Sequence, residues 1–341
     1  MTVPLSFPEI EEFLAAPTEG AVEAVRRLPG DFAVLGAGGK MGTTLALMLR
    51  RALDRINRPN RVIAVSRFSQ DSARRNLESL GIETLACDLS DREALAALPD
   101  IPNVFYLAGT KFGTSDRPEL TWLANTIIPG LVAERYAQSS IVAFSTGCVY
   151  PFASVASGGA TEETRLEPLG EYAASCIGRE RVFTWFSRLH GTRVCLYRLN
   201  YAIDLRYGVL IDIATKVRDG QPIDVSSGYL NMIWQGDAVA RAIQCLAHAD
   251  SPPFAINITG PGILRVRDLA ESFARRFGRT ATFTGEESDV CWLANAGRSM
   301  ELFGPITVSV DQMIDWTAEY LEKGGDLLGK PTHFDSRSGT F

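Results

Sequence analysis

Along the first two hundred residues, short apolar runs rich in β-branched side chains alternate with longer stretches in which apolar residues recur every three to four positions. The runs Phe32–Gly36, Val62–Ser66, Ile82–Cys87, Val104–Leu107, Ile141–Ser145 and Val194–Leu199 read as strands, and the segments between them are long enough for helices. That alternation predicts βαβ units, hence an α/β fold built on a doubly wound parallel sheet. Two amphipathic stretches, Pro8–Ala16 and Glu19–Leu28, precede the first strand and are closed by Pro29-Gly30, which marks residues 1–30 as a helical N-terminal extension. Residues 31–200 carry the alternating pattern. From about Asn200 it loosens: helical patterns near Val209–Asp219, Gly236–His248, Val266–Phe277 and Val310–Glu322 are separated by turns, so 201–323 reads mainly as a smaller satellite with some segments returning to the sheet. Residues 324–341 are rich in Gly, Ser, Thr and charge without periodicity, either a mobile tail or a segment ordered by contact.

Composition narrows the function classes. The 341 residues are 46% hydrophobic and 22% charged, enough apolar material for a sizeable core. Their net charge of −6 is spread without a basic stripe, which argues against nucleic-acid binding. Six widely spaced cysteines, with no C-x-x-C pair and no histidine cluster, read as reduced, mostly buried thiols and point to no metal. The opening MTVPLSFPEIEEF has neither a basic nor an apolar leader region, and no run approaches 18 apolar residues, so a cytoplasmic protein without a membrane span is expected.

Candidate chemistry begins at Gly36-Ala37-Gly38-Gly39-Lys40-Met41-Gly42, between a strand pattern and a helix pattern. Glycines at 36, 39 and 42 suit a tight turn, close approach of backbone to a diphosphate, and close helix–strand packing, while the helix start supplies free N–H groups and a positive dipole end. This is a dinucleotide loop of Rossmann type. Its G-x-x-G-x-x-G spacing resembles that of the extended short-chain dehydrogenase/reductase superfamily, the NAD-dependent epimerases and dehydratases, and further stretches match in order over roughly residues 31–260.

The resemblance implies a set of cofactor contacts. Gly36, Gly39, Lys40, Met41 and Gly42 would line the diphosphate. Ser66 and Arg67 follow the second strand where NAD-preferring relatives carry an acidic residue, and a hydroxyl with an arginine would accommodate a 2′-phosphate, favouring NADP over NAD; Arg67 could instead stack on adenine or be solvated. Asp88, with Leu89, is similar to the acidic residue beside the adenine amine. Ala108, Gly109 and Lys111 resemble the cofactor-lining turn after the fourth strand, and Asn125 a helix asparagine that braces the active site.

Phe144-Ser145-Thr146-Gly147-Cys148-Val149-Tyr150 resembles the family's F-S-S/T-x-x-V-Y signature, which puts Thr146 at the catalytic hydroxyl position with Ser145 beside it. Tyr172, in Glu171-Tyr172-Ala173-Ala174-Ser175-Cys176, falls where the family has Y-x-x-S-K, and Glu180 fits a glutamate that often follows. Cys176 stands in place of the lysine. Four residues apart share a helical face, so the family's ammonium lowers the phenol's pKa, which a neutral thiol does not do. Three compensations are open: Lys111 reaching in from its loop, Arg179 returning to the same face seven residues on, or a reactive Cys176 thiolate.

Asn200, in Tyr197-Arg198-Leu199-Asn200, resembles a substrate-contacting asparagine, but the continuation Tyr201-Ala202-Ile203-Asp204 departs from the nucleotide-sugar pattern. Asp237 reads as a support for the start of its helix, and His333 as a tail residue able to contribute contacts if the tail folds back. The expectation is an NAD(P)-dependent oxidoreductase or epimerase/dehydratase acting on a hydroxylated, sugar-like small molecule. Its rival is an NAD(P)-binding regulator of little turnover. A homodimer follows by resemblance.

Overall fold

The structure is a computed structural model that describes residues 3–69, 71–111, 113, 117–330 and 332–339. Met1 and Thr2 of the extension and Pro331, Thr340 and Phe341 of the tail lie outside the described residues.

Seven parallel strands form the central sheet: β1 (Phe32–Leu35), β2 (Val62–Ser66), β3 (Glu83–Ala86), β4 (Asn103–Tyr106), β5 (Ser140–Thr146), β6 (Arg193–Leu199) and β7 (Phe254–Ile258). Their spatial order is β7-β6-β5-β4-β1-β2-β3, so the chain reverses direction across the sheet between β1 and β4. Ligand crevices open at such a reversal, beyond the carboxyl ends of the strands. All four residues of β1 are buried, as helices on both faces require. The six strand runs seen in the sequence all form. The seventh strand is one of the later segments that returns to the sheet, pairing Phe254–Ile258 with Cys195–Leu199 of β6.

The helices of eight residues or more are α1 (Phe7–Leu14), α2 (Glu19–Arg27), α3 (Lys40–Arg55), α4 (Asp71–Ser79), α5 (Ile128–Arg135), α6 (Gly170–His190), α7 (Val209–Arg218), α8 (Gln235–Cys245), α9 (Val266–Phe277) and α10 (Val310–Glu322). On one face of the sheet Val25, Leu45, Leu49, Val239 and Ile243 from α2, α3 and α8 pack against Phe105 and Val142; on the other, Val132 and Phe183 from α5 and α6 cover Leu35, Val65 and Tyr106. A second core joins α7, α9 and α10 through Leu210, Phe273, Ile314 and Tyr320.

The N-terminal extension ties these cores together. Its helices start on side-chain caps, Ser6 with Glu9 for α1 and Thr18 for α2. Glu11 accepts from Thr44 Oγ1 on α3 at 2.6 Å and pairs with Arg206 of the satellite at 2.8 Å. Phe13, Trp234 and Trp316 meet edge-on at centroid distances of 4.9 to 5.7 Å.

One residue does more than its sequence position implied, and one alternative is decided. Asp237 lies in the first turn of α8 but serves another segment, accepting from Thr307 N and Oγ1 and from Val308 N. The tail is ordered by contact: Phe334 is buried in the second core, and Leu328 N donates to Arg206 O at 3.1 Å. All six cysteines are buried free thiols, and among the described residues no helix is long and apolar enough to cross a membrane.

Candidate cofactor and active site

The glycine loop turns tightly over the ends of β1 and β4. Gly36 has φ +94°, and a Cβ there would stand 2.7 Å from Ala108 N, so both conformation and space demand glycine. At Gly42 a Cβ would stand 2.6 Å from Ala37 Cα, closing helix onto strand end. The unexpected participant is Gly38, whose Cβ would press within 2.6 Å of Ser66 Oγ, so the loop lies directly on the end of β2. Helix α3 begins at Gly39 with no side-chain cap, leaving its first N–H groups and dipole end to an external anion. Arg67 is exposed beyond Ser66, and its charge assists Asp88, whose carboxyl is held low chiefly by hydrogen bonds from the Ser90 side chain and backbone. Asp88 is exposed at the end of β3 while Leu89 is buried beneath it. An uncapped helix, a bare backbone loop and a carboxylate with an arginine at the rim fit a dinucleotide.

Lys40 departs from this arrangement. Its side chain leaves the loop for the satellite, where Nζ donates to Ala202 O at 3.3 Å, lies 3.8 Å from Asp204 and sits 4.2 Å above the Tyr207 ring. Burial lowers its pKa to about 8, with Asp204 opposing the shift.

Past the loop a cavity of about 220 Å³ opens, lined by Thr146, Tyr172, Lys111 and Asn200 together with Lys40 and Met41. Thr146 ends β5, where its Oγ1 accepts from Cys148 N at 3.2 Å, and it lines the cavity together with the Tyr172 phenol. Tyr172 is pushed well above the usual phenol range, first by burial and then by the neighbouring Cys176 and Cys148 thiols; Arg179 and the Thr146 hydrogen bond only partly oppose this. It is a neutral phenol at pH 7. Burial also lowers the Lys111 pKa.

The sequence matches the NAD-dependent epimerase/dehydratase family over residues 32–225. The chain belongs to that family. Its members are enzymes, and the extended short-chain dehydrogenase resemblance read from the motifs agrees with the match. No curated protein matches the sequence. Solved structures of like fold include an epimerase from Methanothermobacter thermautotrophicus, 18% identical with a TM-score of 0.71, covering 90% of this chain and 96% of that one. Two others each cover 86% of this chain and 99% of their own: a UDP-glucose 4-epimerase from Thermotoga maritima with UDP-glucose, at 18% identity and TM-score 0.68, and a UDP-glucuronic acid 4-epimerase from Bacillus cereus with UDP-glucuronic acid and NAD, at 17% and 0.69. At these identities the likeness is one of fold.

Against the family pattern, this epimerase/dehydratase brings Thr146, Tyr172, Lys111 and Asn200 to one cavity. Cys176 is different: it is fully buried behind Tyr172 among Val149, Tyr150 and Ile177, and burial pushes its thiol up to about 11. A reactive thiolate is therefore not what replaces the lysine. Arg179 lies one turn further on, its Nη1 donating to Phe144 O at 2.7 Å and its Nη2 to Asn125 Oδ1 at 2.5 Å. It fits because Gly109 has no side chain; a Cβ there would meet Arg179 Nη2. From a π-helical turn, Leu123–Ile127, the Asn125 amide spans the Thr110 N and O and Ser175 Oγ, all at 2.9 Å.

Ser145 lines the cavity, yet its hydroxyl is committed to Glu180 Oε1 at 2.6 Å. Glu180 in turn grips Arg198 at 2.9 and 2.7 Å, and Arg198 donates to the Tyr150 hydroxyl at 2.7 Å. This buried network locks β5, α6 and β6 together directly beneath Thr146. Sequence reasoning missed Arg198, whose signal was an arginine in the interior of an apolar run, and Thr332 of the tail, which also lines the cavity.

Proposed function

We propose that this chain is an NADP(H)-preferring oxidoreductase of the epimerase/dehydratase family that reduces a carbonyl on a hydroxylated, sugar-like small molecule. What carries the reading is that Thr146 and Tyr172 line one cavity, which begins at the first turn of the glycine-loop helix. When bound, the nicotinamide supplies or accepts a hydride. The chain's own part is at the substrate oxygen: Thr146 Oγ1 orients it, and the neutral Tyr172 phenol delivers a proton to it as charge develops there. A phenol that stays protonated at neutral pH has a proton to give to the substrate oxygen and is a poor base, which supports the reduction reading. Lys111 adds positive potential to the cavity, and Arg179 holds the Asn125–Phe144 frame in place of the missing lysine. The absence of a carboxylate beside Ser66, with Arg67 exposed there, supports preference for the 2′-phosphate. Trp122, Ile127, Trp185 and Leu189, exposed on neighbouring helical segments, support pairing of two copies.

Calorimetric titration with NADPH and NADH, after mass spectrometry for nucleotide carried through purification, tests the cofactor reading. NADPH is expected to bind at least tenfold more tightly, and Arg67→Glu to erase the difference; no binding of either sinks the enzyme reading. A second reading, a cofactor-binding protein of little turnover, is favoured by the fully buried, neutral Cys176. Tyr172→Phe separates the two: an enzyme keeps its NADPH affinity and loses NADPH oxidation with a panel of aldoses and ketoses, whereas a binder shows no such oxidation in either form.

A further inference from the structure

The tail does not end on the surface. It enters the molecule beside α7, where Thr332 is 2% exposed and its N–H and Oγ1 both donate to Asp212 Oδ2, the former at 2.8 Å. From there Lys216 pairs with Asp335 at 3.3 Å, and Phe334 is buried in the second core. Arg337 donates to Ser226 O at 2.9 Å and Val290 O at 2.8 Å while its guanidinium lies 4.6 Å over the Phe152 ring. Gly339 reaches the head of the Tyr172 helix, so close that a Cβ on Gly170 would stand 2.4 Å from Gly339 O. The segment thus crosses from the satellite to the helix carrying the phenol, anchored at each step.

Two cavities lie on either side of it. Thr332 lines the inner one, of about 220 Å³, with Thr146 and Tyr172; His333, Phe334 and Asp335 line an outer one of about 350 Å³ against α7. Both have Tyr207 as a wall. The tail is therefore the partition, and the inner cavity alone falls below the roughly 300–1,000 Å³ of sites that take drug-sized ligands.

We propose that residues 326–330 and 332–339 are a built-in wall of the substrate site, that Thr332 is a specificity-determining residue facing the substrate, and that this wall restricts the substrate to a compact polyhydroxylated carbonyl compound of about one sugar ring, excluding sugar nucleotides. The proposal rests on the Thr146–Tyr172 cavity being the substrate site. A ring-sized polyol matches what lines the space: hydroxyl, phenol, amide and ammonium groups at short range, with no room for a base, a ribose and two phosphates on the near side of the tail.

Cys148 lines the same cavity and is a built-in gauge of its aperture. Peptide mapping after timed reaction with a small methylthiolating reagent and with a bulky fluorescein maleimide is to be run on the full chain, on a chain ending at Gly329, and on full-length Asp212→Ala/Arg337→Ala, which keeps the tail but removes two anchors should the shortened chain not fold. The bulky-to-small rate ratio at Cys148 is expected to rise at least tenfold when the wall is removed or released. An unchanged ratio in a folded variant overturns the proposal. So does micromolar binding of UDP-glucose to the NADPH-loaded full chain, for which no heat is expected at millimolar ligand. NADPH titration of the same samples reads the cofactor assignment separately: its loss condemns that reading, while a tail failure with NADPH still bound condemns only the wall.

Discussion

Replacing Glu180 by glutamine asks what holds the floor of the active site. Glu180 and Arg198 have side chains 4% and 6% exposed, and the carboxylate also takes the Ser145 hydroxyl. Glutamine keeps the shape but turns one acceptor into an NH₂ facing a guanidinium that can only donate. Arg198 is then a buried charge without its counter-charge, and water cannot reach it. Breaking such a pair from one side costs roughly 3–5 kcal/mol. With an unfolding entropy of about 2.1 cal/mol/K per residue, the 341-residue chain changes by about 0.7 kcal/mol per degree, so the loss is about 4–7 °C in Tm. Differential scanning calorimetry at pH 7 reads this directly. The paired variant Glu180→Leu/Arg198→Met should recover more than half of the drop, because it leaves no charge buried alone. A fall of less than about 1 °C for Glu180→Gln, against the expected penalty for breaking a buried pair, refutes the reasoning.

Lys40 gives a pH-dependent test: its folded pKa of about 8 lies below its ordinary 10.5, so across that window the unfolded chain binds the extra proton and stability climbs with pH. Discounted for a side chain 21% exposed, Lys40→Met should stabilise by about 1–2 kcal/mol at pH 7 and by less at pH 9.5 in urea melts, and the opposite order would reverse the sign of the argument. Gly36→Ala should abolish measurable NADPH binding and lower Tm, whereas Gly220→Ala, at φ +66° with open space around it, should cost only about 1–2 kcal/mol; equal effects would mean that the contact with Ala108 is unimportant. Trp185→Glu with Leu189→Glu should convert a dimer to a monomer in sedimentation velocity, and a wild-type chain that is already monomeric at micromolar concentration rules the pairing out.

The strands and the glycine loop were legible because their causes are local. The residues of β1 and the interior positions Val62–Val65 of β2 and Ile141–Phe144 of β5 are buried from both sides and are apolar, and Gly36 and Gly42 are required by distances to atoms within the same βα unit or the adjacent strand. The departure at Cys176 was equally plain, but its resolution was not. Helical periodicity put Arg179 on the Tyr172 face; it could not say that the guanidinium would pass behind the phenol to Phe144 O and Asn125, since that depends on the missing side chain of Gly109, seventy residues earlier. The tail was opaque for a related reason. Segments that pack by an apolar stripe leave a period in the sequence, whereas this one is held mainly by polar bonds to backbone and to single side chains, Asp212, Lys216, Ser226 O and Val290 O, which leave none. What could be read was what each segment does with its own neighbours. What decides the chemistry, a cation displaced by one turn and a wall borrowed from the far end of the chain, lies in pairs of residues whose complementarity exists only once both cores have closed.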